Sequence, residues 1–290
     1  MDFVLPTRID ARPVAVVGAG TLGRRIGLMF ATRGGQVRIY DPSAGAGADA
    51  CAYVRAELPK IVECIDGGAP GEASSTTDIA AAVAGAWLVV EAVPERLDLK
   101  RQVFADLDRL ADADAILASN SSSYPAARFA DAVARPQRLV NMHFYMPPAQ
   151  SAVDLMSSGA TDRAVLDLLL AKLPRFGLFP FEARAESTGF VFNRIWAAVK
   201  REALAVVAEG VSTPQDVDGM WRVNTGPPGG PFRMMDQVGL DVVLDIENHY
   251  AAERTGLPEG PRRLLERYVD AGRLGVKSGA GFYDDYRASA

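Results

Sequence analysis

The sequence holds only two cysteines and two histidines in 290 residues. Two cysteines, Cys51 and Cys64, are too few for a disulfide framework. No second Cys/His pair stands at metal-ligand spacing, so both read as ordinary thiols in a helical stretch and no metal is expected. An excess of basic charge is also missing. With 31 Lys and Arg against 36 Asp and Glu, the net charge is −5, which argues against a general nucleic-acid binder but not against one anionic ligand held locally. Long apolar runs are absent: the longest, 79–90, is too short to span a bilayer and contains Gly85. The opening residues, Met1 to Arg8, lack the apolar stretch of a secretory signal. A cytoplasmic protein without a membrane partner is expected. What remains is a globular composition, 49% hydrophobic and 23% charged, at a length natural for two domains.

Val14 to Val17 is a short apolar run of buried-strand type, followed at once by Gly18-Ala19-Gly20-Thr21-Leu22-Gly23. Ile26, Met29 and Phe30 then recur at helical spacing, and a second strand-like run, 37–40, ends in Asp41. Further strands are expected at 87–91, 116–119 and 139–142, with a helix at 97–110 whose Leu99, Val103, Phe104 and Leu107 share one face. Strands alternating with helices predict an α/β unit with a mostly parallel, doubly wound sheet. From about Thr188 the pattern becomes helical only, with helices expected near 190–209, 216–220, 238–250 and 261–271. The expected division is therefore 1–187 and 188–290.

A lone GxGxxG is weak evidence. Here it lies between a strand and a helix, and Asp41 follows Gly18 by 23 positions, close to the spacing of about 20 that a dinucleotide site expects. Gly18 permits the tight turn, and Gly20 lets backbone amides approach a pyrophosphate. Gly23 lets the helix pack on the sheet, and Thr21 and Leu22 open the helix whose amides face the phosphates. Asp41 would accept hydrogen bonds from the ribose hydroxyls and repel a 2′-phosphate, which points to NAD. Arg24, Arg25 and Arg38 lie near enough in sequence to keep NADP open.

His143 follows the run at 139–142, near the carboxyl end of a strand, where doubly wound sheets bind ligands. Ser119-Asn120-Ser121-Ser122-Ser123 follows the preceding strand and should face the same cleft. Separately, a lone histidine reads as structural and a serine run as a loop or cap. Glycine loop, serine loop and strand-end histidine together read as a site.

With these motifs in place, nearly the whole chain resembles the 3-hydroxyacyl-CoA dehydrogenases and their relatives. The resemblance rests on the glycine loop with Asp41, on Glu91-Ala92-Val93-Pro94-Glu95 with Lys100, on Ser119 to Ser122, and on His143-Phe144. It continues through Ser187 to Arg194, Gly229-Gly230-Pro231-Phe232 with Asp236, Gly239-Leu240-Asp241 and Lys277 to Tyr283. It implies a Rossmann-type domain followed by a helical domain that builds a homodimer. It also implies NAD-dependent interconversion of a 3-hydroxyacyl thioester and its 3-oxoacyl form. Ser122, His143 and Asn193 carry over as catalytic residues, with His143 as general acid/base. Glu95, Lys100 and Asn120 join Gly18, Gly20, Thr21, Leu22, Gly23 and Asp41 on the cofactor side.

The chain departs from the family at three places. The family's glutamate a dozen positions after the histidine falls on Leu155; the neighbouring Asp154 takes the role if one residue is deleted in 146–151, and is otherwise a surface carboxylate. The family's His-Phe-Phe-Asn-Pro reads His143-Phe144-Tyr145-Met146-Pro147. The 41–78 segment also looks shorter than the family's, with Arg55 and Lys60 its only basic residues, few for a 3′-phospho-ADP. CoA, a carrier protein and a free 3-hydroxy acid, as in the related L-gulonate dehydrogenase (lambda-crystallin) branch, all stay open. So does a non-catalytic NAD-binding dimer. Trp196 and Trp221 read as packing or dimer contacts, His249 as surface or interface, Lys200 and Arg201 as a solvated helix face, and 66–71 as a flexible excursion.

Overall fold

Val14–Val17 (β1) is buried at every position because helices cover both sides of the sheet it centres. Its residues alternate between two cores. Val14 and Val16 pack with Ile26, Leu28, Met29 and Phe30 of α1 (Thr21–Phe30), whereas Ala15 and Val17 pack with Phe104 and Leu107 of α4 (Leu97–Leu110). Between these helices in sequence lie β2 (Gln36–Tyr40), α2 (Ala44–Val62), β3 (Glu72–Thr76), α3 (Ile79–Val83) and β4 (Leu88–Glu91). There follow β5 (Ile116–Ser119), β6 (Leu139–Met146), β7 (Gln150–Ser157), α5 (Arg163–Lys172) and β8 (Phe179–Ala183). The computed structural model describes residues 3–286.

The eight strands run in the order β3-β2-β1-β4-β5-β6-β7-β8, parallel throughout except where β7 pairs antiparallel with β6. Chain direction reverses its lateral progress at β1 and β4, the switch point at which such sheets open a crevice beyond their carboxyl ends. The doubly wound α/β class holds. Three strands exceed the expected set: β3 and β8 at the two edges, and β7 as the return of a hairpin from β6.

The 66–71 stretch is pinned rather than flexible. Gly34 donates to the Ala69 carbonyl at 2.7 Å, and Ala69 and Gly71 donate to those of Thr32 and Ala31. A side chain at Gly71 would strike the Gly35 carbonyl oxygen, its Cβ only 2.2 Å away.

The chain divides into two compact units, one ending at Val191 and one beginning at Phe192. The second consists of α6 (Phe192–Ala208), α7 (Pro214–Thr225), α8 (Pro231–Val238), α9 (Leu240–Glu253) and α10 (Gly260–Asp270). Leu204, Phe232, Met235, Val243, Leu265 and Phe282 form its core. The helix expected at 238–250 is α9, which begins at Leu240; α8 exceeds the expected set, and Gly239, at φ +104°, separates the two. Trp196 and Trp221 meet edge to face within this unit. Lys200 and Arg201 are not a solvated face. They are 5% and 8% exposed, Arg201 Nε donates to Glu247 Oε2 at 2.8 Å, and burial pushes the Lys200 ammonium below its ordinary value against the opposing pull of Glu247. Among the described residues no helix is long and apolar enough to cross a membrane.

Candidate active site

Gly18, Asp41, Glu91 and Ser119 stand at or just beyond the carboxyl ends of β1, β2, β4 and β5; His143, expected just past a strand ending at 142, lies within β6, which runs on to Met146 and so carries it two residues beyond Asn141, the partner of Ser119. The glycine loop begins the site. Gly18 adopts φ +113°, and a Cβ there would lie 2.6 Å from the Ala92 carbonyl oxygen; one at Gly23 would lie 1.8 Å from that of Gly18. Gly20 differs, because its Cβ would meet nothing within 4 Å. The first and third glycines thus close the turn against the protein, while the second keeps a path open to the start of α1. No side chain caps that helix, so its first amides and its positive dipole end are available to a phosphate.

Asp41 completes this half. Its Oδ2 accepts from the Ala19 amide and its Oδ1 from the Ser43 amide, both at 2.9 Å, which fixes the carboxylate while leaving lone pairs for ribose hydroxyls. The arginines that kept NADP open are otherwise engaged. Arg38 donates to the Ala81 and Ala84 carbonyls, Arg25 donates to that of Pro147, and Arg24 lies over the Tyr53 ring, 4.7 Å from its centre. Open glycine, uncapped helix start and fixed carboxylate suit an NAD-type dinucleotide. Replacing Gly20 with alanine is expected to leave the melting temperature within about a degree or two of wild type but to weaken NADH at least tenfold by fluorescence titration. Gly23→Ala is expected to destabilise the fold itself, since its methyl group meets backbone. Equal NADH affinity in Gly20→Ala would contradict this assignment.

Beyond β4, three charged groups form a network that the sequence reading had only in part. Lys100 on α4 is 1% exposed, with its ammonium 2.8 Å from Glu91 Oε1 and 3.1 Å from Glu95 Oε2. Glu91 also accepts from Ser119 Oγ at 2.7 Å and from the Val93 amide at 2.8 Å. Glu95 Oε1 accepts from Ser121 Oγ at 2.5 Å and the Ser123 amide at 2.8 Å. The residues on either side of Ser122 are therefore tied to one carboxylate oxygen, and Ser122 itself is presented exposed at the loop crest. Burial alone would raise the Glu95 carboxyl, but Lys100 and the two loop donors outweigh it and hold it below the ordinary value. Asn120 reaches the next strand, its Oδ1 accepting from the Phe144 amide at 2.8 Å.

His143 and Asp154 face each other directly across the β6–β7 ladder, and Leu155 pairs instead with Met142 on the opposite face of the sheet. Counting twelve positions onward lands on the wrong face; pairing register selects Asp154. His143 Nδ1 lies 3.4 Å from Asp154 Oδ2, with His143 5% and Asp154 2% exposed. The Phe190 ring stacks on the imidazole, centroids 5.0 Å apart and planes within 2°. Phe190 holds a left-handed backbone conformation, φ +51°, just before α6. Asn193 lies in the first turn of α6, in the second unit.

Two family models cover the chain. The one described as "3-hydroxyacyl-CoA dehydrogenase, NAD binding domain" matches residues 13–185, and "3-hydroxyacyl-CoA dehydrogenase, C-terminal domain" matches 189–285. A 3-hydroxybutyryl-CoA dehydrogenase of Mycobacterium tuberculosis is 35% identical over 282 residues, 93% of this chain and 97% of that protein. The 5-formyl-3-hydroxy-2-methylpyridine 4-carboxylate 5-dehydrogenase of Mesorhizobium japonicum is 29% identical over 279 residues, covering 94% and 90%. Among solved structures, the (S)-3-hydroxybutyryl-CoA dehydrogenase PaaH1 of Ralstonia eutropha superposes with a TM-score of 0.84 at 28% identity, over 97% of this chain and all of that one. Matched in both of its parts and nearly end to end, the chain belongs to the 3-hydroxyacyl-CoA dehydrogenase family, whose NAD-binding domain it carries.

Proposed function

We infer that the protein is an NAD-dependent dehydrogenase interconverting a 3-hydroxyacyl thioester and its 3-oxoacyl form. The observation that carries this is the His143–Asp154 pair, held in the β6–β7 ladder where it runs on past the end of β5, toward the side of the sheet on which the glycine loop follows β1. In the oxidative direction His143 takes the substrate hydroxyl proton at Nε2, while Asp154 faces Nδ1 and stabilises the imidazolium so formed. Bound NAD supplies the hydride acceptor. Stacking on Phe190 fixes the ring plane and excludes water from that face. Ser122, held outward between its tethered neighbours, is assigned to the substrate oxygen. Asn193 is assigned to the substrate by resemblance alone. Glu95 borders the cofactor side, whereas Lys100 and Asn120 act from within, Lys100 on Glu95 and Asn120 on the β6 backbone. Positioned acid–base help of this kind contributes about 10²–10⁴ in rate.

A second reading, oxidation of a free 3-hydroxy acid, is favoured by the scarcity of cations on α2 and its following loop. Of Arg55 and Lys60 there, Lys60 is already turned to Glu57 at 3.1 Å. The Mesorhizobium relative is itself named for a small free acid. Steady-state rates on matched CoA, pantetheine and free-acid forms of one 3-hydroxyacyl group separate the readings. The leading one expects kcat/KM to be highest for a thioester; a preference for the free acid would replace it with the second.

The second unit is assigned to homodimerisation. Ile195, Met220, Val223, Val238 and Val242 are all at least 41% exposed on it, apolar surface that a second copy of the chain would cover. Sedimentation equilibrium is expected to give twice the chain mass, and a monomer at micromolar concentration would contradict this.

A further inference from the structure

The Asp154 carboxylate serves two donors. Its Oδ2 accepts from the Tyr145 hydroxyl at 2.5 Å and lies 3.4 Å from His143 Nδ1. Tyr145 follows His143 by two positions on β6, so both side chains leave the same face of the strand. The β6–β7 register slips there: Phe144 pairs with Val153 but Met146 pairs with Gln150, so Ser151 and Ala152 together oppose Tyr145. Such a bulge re-aims the side chain beside it. The phenol ring meets the imidazole edge to face, centroids 4.7 Å apart. The groups facing His143 are thus Asp154 from β7, Tyr145 from β6 and the uncharged ring of Phe190. Arg25, on the helix packed behind β6, is turned to the Pro147 carbonyl.

We propose that Tyr145 is a positioning residue that tunes His143 through the oxygen they share on Asp154. The proposal rests on the reading of His143 as the base. A hydroxyl donating to a carboxylate draws off part of its negative charge, and a weaker anion stabilises an imidazolium less. The phenol therefore lessens the pull of Asp154 on a protonated His143. Nothing in the sequence pattern of β6 marks this role, which arises only where the bulge and the hairpin register bring the two side chains to one oxygen.

The scarcity of histidine makes the test direct. With histidine isotopically labelled, NMR reads two imidazoles, and His249→Gln, on an exposed residue of α9 paired with Glu253, assigns them. Tyr145→Phe is expected to move the His143 titration midpoint upward by about half to one pH unit. In an Asp154→Asn background the same change is expected to do nothing. The acid limb of kcat/KM for oxidation should move upward with the midpoint, while KM and the high-pH plateau hold. A merely structural tyrosine would lower the plateau or the stability without moving that limb. If Tyr145→Phe does not fold, wild-type protein grown with 3-fluorotyrosine carries a more acidic, stronger donor, and its midpoint should move downward. An unmoved midpoint in either protein, or a downward shift in Tyr145→Phe, overturns the proposal. The NMR readout is independent of turnover. A wild-type protein inactive on every 3-hydroxyacyl substrate would refute the reading of His143 as base, whereas an active one with an unmoved midpoint would refute the role of Tyr145 alone.

Discussion

Replacing His143 with glutamine is expected to lower turnover by about 10²–10⁴-fold, while NADH binds within about twofold of wild type. Glutamine retains a polar head that can still face Asp154, but its amide takes no proton at neutral pH. The loss therefore falls on the chemical step. The dinucleotide half of the site is built on other strands: Gly18 closes on Ala92 beyond β4, and Asp41 is fixed by the Ala19 and Ser43 amides. None of these groups leans on the imidazole, which packs against Phe190 and Tyr145. Single-turnover rates and a fluorescence titration with NADH measure the two quantities separately. Unchanged turnover would remove His143 from the mechanism. Parallel loss of turnover and NADH affinity would mean that the substitution had damaged the edge of the sheet as a whole.

Lys100→Met is expected to cost about 3–5 kcal/mol of folding stability, the usual penalty for stranding a buried charge by deleting its partner. Glu91 is fully buried and Lys100 nearly so, at 2.8 Å. Methionine fills the volume of the lysine stem but leaves two carboxylates facing a vacated cation site. Because domains are stable by only about 5–15 kcal/mol, the loss would be a large fraction of the total. The Glu91→Gln/Lys100→Met double variant is expected to recover part of it, since the fully buried ion is gone and only the partly exposed Glu95 carboxylate still lacks its cation. The pH dependence has a definite sign. In wild type the Glu95 carboxyl is held below its unfolded value, so its contribution is present above that value and is lost as pH falls through the lowered one. Without Lys100 the Glu95 carboxyl rises from that lowered position, so the stability lost through this group as pH falls becomes smaller. Urea unfolding at neutral and acidic pH checks both statements; a variant as stable as wild type at neutral pH would contradict the network.

Much of the first unit was legible because its signals are local. Val14 to Val17 and Ile116 to Ala118 are continuous apolar runs buried on both faces, and the helix at 97–110 shows its apolar stripe at regular spacing. The edge strands were not legible. Glu72–Thr76 carries Glu, Ser and Thr with most of its positions exposed, and Phe179–Ala183 has a proline at its second position, which an edge strand tolerates and a periodicity argument penalises. Lys200 and Arg201 misled for another reason. Their neutralising Glu247 lies on a different helix, 46 positions from Arg201, and no helical spacing reports it. In the site, glycine loop, serine loop and histidine were visible as motifs. The partner of the histidine was visible only as a choice between neighbours, because a hairpin with a bulge sets which residue shares its face. Glu91 and Ser121 stood in quoted motifs, but what they hold depends on the fold of the loop. Tyr145 stood in the departing run 143–147, but nothing in the sequence tied it to Asp154.

The central claim is that hydride leaves C3 of a 3-hydroxyacyl thioester for the nicotinamide while His143 takes the hydroxyl proton. Incubating the enzyme and NAD with 3-hydroxybutyryl-CoA deuterated at C3, and analysing the NADH by mass spectrometry, tests it most directly. The account predicts NADH carrying one deuterium, formed more slowly than from the unlabelled thioester. NADH without deuterium, or none formed by a protein that demonstrably binds NAD, would contradict it.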